Sequence, residues 1–352
     1  MVIGIFDPYL DSLSGGEKYM LSIASCLSDQ NKVSIFWDPQ FEAEIKRKAK
    51  DKLGIDLEKV KFTKNIFSRE ISTPSRLLDS KKFDLIIFLS DGSIPSVTTK
   101  LMVHFQFPVE WVKYDLKSKF KLSRVSKIIC NSEFTKSFID KKFKVNSKVL
   151  YPPCNIKNTQ GKKENMILHV GRFGTNLEGK NFKKQDIMID AFKKLKTDKW
   201  RFVIIIGVMD KQLDDLQSLK TKAEGYPIEI IENPDNRTLW NYYGKAKIYW
   251  HASGFGEDLE KHPEYAEHFG ISTVEAMGAG AVPVVINAGG QKEIVENGKS
   301  GFLWNTIDEL SERTSSLIKD QSLWTKMSNE AIERSKKFTG DRFCKEIEEI
   351  VR

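Results

Sequence analysis

Two glutamates, Glu267 and Glu275, flank Gly270 within the stretch EHFGISTVEAMGAGAVPVVIN, residues 267 to 287. Carboxylates accept hydrogen bonds from hydroxyls, so a pair of them suits a sugar or a ribose. From Gly270 an apolar-periodic segment (Ile271, Val274, Ala276, Met277) runs to Gly278 and Gly280, which reads as a loop, a short helix and a stop. The amides of residues 270 to 273 then sit at a helix N-terminus, where free N–H groups and the helix dipole hold an anion such as a phosphate. Spacing of this kind also arises by chance; the surrounding glycines and the strand that follows mark it as a ligand site. That strand, VPVVI, is apolar throughout, as in a parallel sheet covered on both faces, and Pro283 sits near its start, where a missing N–H is tolerated.

Other polar groups stand where a strand ends or a helix begins. Arg172 and Lys180 bracket the glycine-bearing loop between the strand NMILHVGRF (165 to 173) and the helix FKKQDIMIDAFKKL (182 to 195). A guanidinium fork and an ammonium on such a loop can neutralise a diphosphate, although a lysine-rich surface offers similar pairs. His104 ends the strand KLMVHFQ and reads either as a structural histidine or as a ligand contact. Gly15 and Gly16 follow the first strand and allow either a tight turn or a close backbone approach to a ligand. They are not the three-glycine dinucleotide fingerprint. Asn131 and Ser132 read as the cap of the helix EFTKSFI.

The elements that must position these groups alternate along the chain. Strands are expected at 2–7, 32–37, 83–90, 100–106, 127–132 and 148–153, and again at 165–173, 200–207, 228–233 and 247–253, with amphipathic helices between them. This is the grammar of a doubly wound α/β sheet, written twice. The polar run after YPPCN places a domain boundary near residue 157. The charged segment GFGEDLEKHPEYA (254 to 266) is a long loop directly before Glu267, and loops of that length tend to be functional.

Composition excludes several classes. At 352 residues the chain accommodates two cores, no apolar run approaches bilayer length, and because the N-terminus enters a strand at once no secretory leader is expected. The four cysteines, Cys26, Cys130, Cys154 and Cys344, lack paired spacing and are expected to be reduced thiols of a cytoplasmic protein, with no zinc site. The net charge of +8 is unevenly placed: residues 111 to 150 carry 11 Lys and Arg against 3 Asp and Glu. Such a patch is either a solvated face or a surface for anionic lipid. Nucleic acid is not indicated, because no nucleic-acid module accompanies the charge.

The order SGGEKY, HFQFP, NSEFTK, YPP, VGRF with a following GKN, WHASGFGED, EHFGISTVEAMGAGAVPVV and GGQKEIVENGKSGF resembles glycosyltransferase family 4 over nearly the whole chain. These are retaining nucleotide-sugar enzymes of the GT-B fold. The resemblance implies an α/β architecture of two Rossmann-like doubly wound domains facing a central cleft. Residues 1–157 would form the acceptor side and 158–337 the donor side, with a last helix at about 338–352 packing back on the first domain. Arg172 and Lys180 would hold the donor diphosphate and Glu275 the ribose, while Glu267 would contact the transferred sugar. The backbone of Phe269, Gly270 and Ile271 would bind sugar hydroxyls or phosphate, with Gly16 near the phosphates and His104 directed at the sugar. No metal and no cofactor is implied beyond the nucleotide-diphosphate sugar itself. Same-face attack assisted by the leaving phosphate is implied, without a covalent role for Glu267.

EHFGISTVEAM is similar to mannosyltransferases, and the implied acceptor is a glycan or lipid-linked sugar. The enzyme would be cytoplasmic and peripheral on the membrane through 111–150. The segment 254–266 is longer and more charged than in many family members. A nucleotide-sugar 2-epimerase of GT-B fold, or a non-catalytic protein that binds sugar nucleotides or a membrane surface, are the alternatives.

Overall fold

Runs of β-branched and aliphatic residues make parallel strands that are covered on both faces, and the chain makes two such sheets. The computed structural model describes residues 1–10, 15–157, 161–174, 181–195, 197–208 and 213–352. The chain divides into two units, Met1–Pro153 with Gly340–Arg352, and Cys154–Thr339.

The first unit contains β1 (Val2–Phe6), β2 (Lys32–Phe36), β3 (Lys61–Thr63), β4 (Leu85–Leu89), β5 (Lys100–Phe105), β6 (Val125–Cys130) and β7 (Lys148–Val149). They lie in the order β3-β2-β1-β4-β5-β6-β7, and all pairs are parallel. The second unit contains β8 (Glu164–Arg172), β9 (Arg201–Gly207), β10 (Ile228–Glu232), β11 (Ala246–His251), β12 (Val282–Ile286) and β13 (Phe302–Trp304). Their order is β10-β9-β8-β11-β12-β13, again parallel. In each sheet the order reverses at one seam, β1/β4 or β8/β11. Ligands of open α/β sheets bind outside the carboxyl ends of the strands at such a seam.

The helix Gly340–Val351 belongs to the first unit. Its Phe343, Ile347 and Ile350 recur at helical spacing and are buried in that unit's core. Each such burial contributes about 1.5–3 kcal/mol. Phe343 meets the Tyr19 ring edge-on at 5.1 Å, and Arg342 donates to the carbonyl of Tyr151 at 2.8 Å. On the same face Cys344 forms a disulfide with Cys26 of the helix Gly15–Ser28, the two Cα atoms lying 5.1 Å apart. This corrects the expectation of four reduced thiols: the partners are 318 residues apart, so spacing does not reveal them. Cys130 and Cys154 are free and buried.

One helix boundary differs in a way that matters below. Periodicity places a helix over 182–195, yet the helix spans Gln185–Lys194 because Lys184 adopts φ 58°, in the left-handed region. Lys183 and Lys184 are thereby released from the helix surface into the preceding loop.

Candidate active site

In the second unit, the loops after the two seam strands bring charge together. β11 ends at His251, and the segment that follows returns to the sheet end at Glu267. His251 Nε2 lies 3.1 Å from Glu267 Oε2, and the Lys183 ammonium, from the loop after β8, lies 2.8 Å from the same oxygen. Burial pushes the Glu267 carboxyl up, but Lys183 and the His251 hydrogen bond outweigh it and hold the group well below the usual carboxylate range. Next to this pair Lys184 bonds Glu257 at 2.5 Å, which fastens the 254–266 segment to the same loop. Among the described residues no cluster of three or more His, Cys, Asp or Glu could hold a metal ion.

The helix Ile271–Gly278 starts beside this cluster. Its cap, Gly270, has φ 116°, a conformation that requires glycine, and a Cβ there would also press on the Gln291 amide at 2.7 Å. The leading amides of a helix have no intrahelical acceptor, and Ile271 and Ser272 occupy that position. Gly290 N–H donates to the Glu267 carbonyl at 2.8 Å, so the backbone on which Glu267 sits is held from the GGQKE loop. Phe269 is buried and Ile271 half-buried. Glu275 lies one turn into the helix and accepts from Tyr243 hydroxyl at 3.4 Å. The Tyr249 hydroxyl donates to the Val170 carbonyl and lies 2.8 Å from that of Ser272, tying β11 to the helix start.

Arg172 ends β8 with an exposed side chain. Behind it His169 is buried, its Nδ1 donating to the Trp250 carbonyl at 3.0 Å, and burial lowers its pKa to about 3. Lys180, expected to be the second phosphate cation, lies outside the described residues. Lys183 and His251 did not stand out in the sequence. Their available signals were a doubled lysine just before a helix and a histidine ending a seam strand.

In the first unit, His104 ends β5 and is wholly buried. Its ring stacks on Tyr19 at 4.1 Å, Nδ1 donates to the Ile129 carbonyl at 3.2 Å, and Nε2 has no hydrogen-bond partner among the described residues. Burial lowers its pKa to about 3, so the ring is neutral. Gly16 lies in the first turn of the helix Gly15–Ser28, where its carbonyl accepts from Gln106 Nε2 at 3.0 Å. Ser132 caps its helix as expected, whereas Asn131 donates across to the Gln106 carbonyl.

Two doubly wound parallel sheets define a GT-B architecture, and solved glycosyltransferases share it. HepE from Anabaena, crystallised with UDP and glucose, superposes with a TM-score of 0.74 at 18% identity, covering 100% of this chain and 99% of that one. A glycosyltransferase from Rickettsia africae gives 0.77 at 16% identity, covering 99% and 97%. At such identities the likeness is one of fold. Residues 155–338 match the family described as glycosyl transferases group 1, more than half of the chain, and the chain belongs to that family. Among relatives, the GDP-Man:Man(3)GlcNAc(2)-PP-Dol alpha-1,2-mannosyltransferase of Dictyostelium discoideum is 25% identical over 304 residues. That alignment takes in 78% of this chain but only 55% of the relative. The alpha-1,3/1,6-mannosyltransferase ALG2 of the same organism is 24% identical, over 79% of this chain and 71% of its own length.

Proposed function

We propose that the chain is a retaining hexosyltransferase of glycosyltransferase family 4. It moves a sugar, mannosyl in the first instance, from a nucleotide-diphosphate donor to a hydroxyl of a glycolipid or growing cell-surface glycan. The observation that carries this reading is the ionised Glu267, held by Lys183 and His251 at the sheet seam beside a glycine-capped helix start. The mannosyltransferase relatives, one named for a GDP-mannose donor and a dolichol-linked acceptor, support the choice of sugar and acceptor class.

In this reading Cys154–Thr339 is the donor unit and Met1–Pro153 with the last helix is the acceptor unit. Glu275 binds the ribose, the turn at Phe269, Gly270 and Ile271 receives the phosphate or sugar hydroxyls, and Glu267 orients the transferred sugar. As the glycosidic bond breaks, negative charge grows on the departing diphosphate, and Arg172 with the helix start at Gly270 stabilises it. Lys180 is proposed as the second cation at the diphosphate, while Lys183 holds Glu267. Gly16 and His104 are proposed as further donor-binding residues. No metal is required.

No helix of the described residues is long and apolar enough to cross a membrane. We place the chain peripherally on an anionic membrane surface, through the basic stretch 111–150; with Cys26 and Cys344 joined, reduced thiols no longer argue for the cytoplasm. Exposed Trp111, Leu116 and Phe120 stand there among exposed Lys113, Lys117, Lys119 and Arg124.

A panel of nucleotide sugars, each with and without glycolipid acceptors, tests the reading through nucleoside diphosphate release and the anomeric configuration of the product. Transfer with retention is expected. An epimerised donor without glycoside, or no turnover across the panel, refutes it.

A further inference from the structure

Both protein donors to Glu267 reach the same oxygen. Lys183 Nζ and His251 Nε2 lie 2.8 and 3.1 Å from Oε2, while Oε1 has no partner among the described residues. The carboxylate remains 22% exposed. An ammonium is a point charge with rotatable protons and does not fix the rotation of a carboxylate by itself. A ring N–H is directional, and the His251 ring is held: it is 2% exposed, and Nδ1 lies 3.4 Å from the Ser253 backbone N–H. Since Nδ1 accepts that N–H, the proton of the neutral ring is on Nε2, which donates to Glu267. Burial lowers the pKa of His251 against the pull of Glu267, in keeping with a neutral ring.

We propose that His251 is a positioning residue: its Nε2–H, together with Lys183, pins Oε2 of Glu267 and thereby presents Oε1 to a hydroxyl of the bound ligand. This rests on the reading of Glu267 as the sugar-facing carboxylate. The other charged or titratable groups around Glu267 are His268, adjacent in the chain, Tyr249 on β11, His169 on β8 and Arg172 beyond His268. Among the described residues only Lys183 and His251 donate to its side chain.

The test has one arm that needs no turnover. Long-range 15N–1H NMR of the histidine-labelled protein is expected to show His251 as the neutral Nε2–H tautomer. In 13C-carboxyl titrations His251→Phe raises the Glu267 midpoint, and His251→Gln, which keeps an N–H, raises it less. In the second arm His251→Phe lowers kcat roughly ten- to hundredfold, the size of a lost hydrogen bond to a charged group, with little change in donor KM. His251→Gln restores part of that loss. An Nδ1–H tautomer, an unmoved Glu267 midpoint, or an unchanged kcat in His251→Phe overturns the proposal. A wild-type chain inert toward every nucleotide sugar, with both NMR results as expected, supports the positioning and refutes the proposed function instead.

Discussion

At the strand ends of the first unit, His104 stacks flat on Tyr19, Gln106 bridges the helix start at Gly16 and Asn131, and the side chains of Asp7, Glu17 and Lys18 are buried. At the matching end of the second unit the loops set two cation–carboxylate pairs, Lys183 with Glu267 and Lys184 with Glu257, beside a helix start. The second sheet repeats the order of the first six strands of the first, so the difference does not come from topology. It comes from the loops. In the proposed reaction the paired charges of the second seam are the ones that meet developing charge.

That contrast is most sharply broken at Glu267. Replacing it with Ala is expected to cost roughly 10²- to 10³-fold in kcat/KM while far-UV circular dichroism stays native, the scale of losing a preorganised charged partner. Near-wild-type turnover removes the second unit's claim to the chemistry. In the first unit the corresponding loss is one of stability: Cys26→Ser unfastens the last helix and is expected to lower unfolding free energy by about 2–4 kcal/mol in denaturant titrations without reductant. An unchanged midpoint would show that packing alone holds that helix.

Acid sharpens the comparison further. The first unit buries one histidine with a pKa of about 3; the second holds His169 at about 3, His268 at about 4, and His251 lowered as well. An unfolded chain takes up these protons near pH 6.5, before the folded one does, so stability falls as pH drops from about 6.5 toward 3, by about 1.4 kcal/mol per pH unit for each histidine. Glu267 acts in the same direction, since the stability it lends above the unfolded carboxylate pKa is lost as pH falls through its depressed folded value. Hydrogen exchange between pH 7 and 4.5 is therefore expected to open β8, β9 and β11 before β1, β4 and β5. Simultaneous opening contradicts it. The smallest effect is Tyr19→Phe, which removes the hydroxyl bonded to the Leu150 carbonyl at 2.9 Å and should cost about 1 kcal/mol in the same titrations.

What the sequence revealed was local. Glu267, Gly270 and Glu275 share one short run, and a left-handed glycine, a helix start and a buried strand all leave marks at that range. The strands were legible for the same reason, as unbroken apolar runs. Lys183 hides inside an apparent helix that the backbone at Lys184 denies it, and nothing local ties it to a carboxylate 84 residues away. His251 looks like the end of any strand until the loop after it has folded back. The Cys26–Cys344 pairing is the extreme case, since it depends on which helix covers which. Lys180, which with Arg172 brackets the glycine-bearing loop, lies outside the described residues.

The return of Gly340–Val351 to the first unit also sets an order of synthesis. Residues 1–153 leave the ribosome first, but the groove that takes Phe343, Ile347 and Ile350 stays unfilled until the last of those residues has been made. The unit encoded second can finish folding first. The unit encoded first waits with one apolar helix face uncovered, and it is the one a chaperone would hold on a nascent chain.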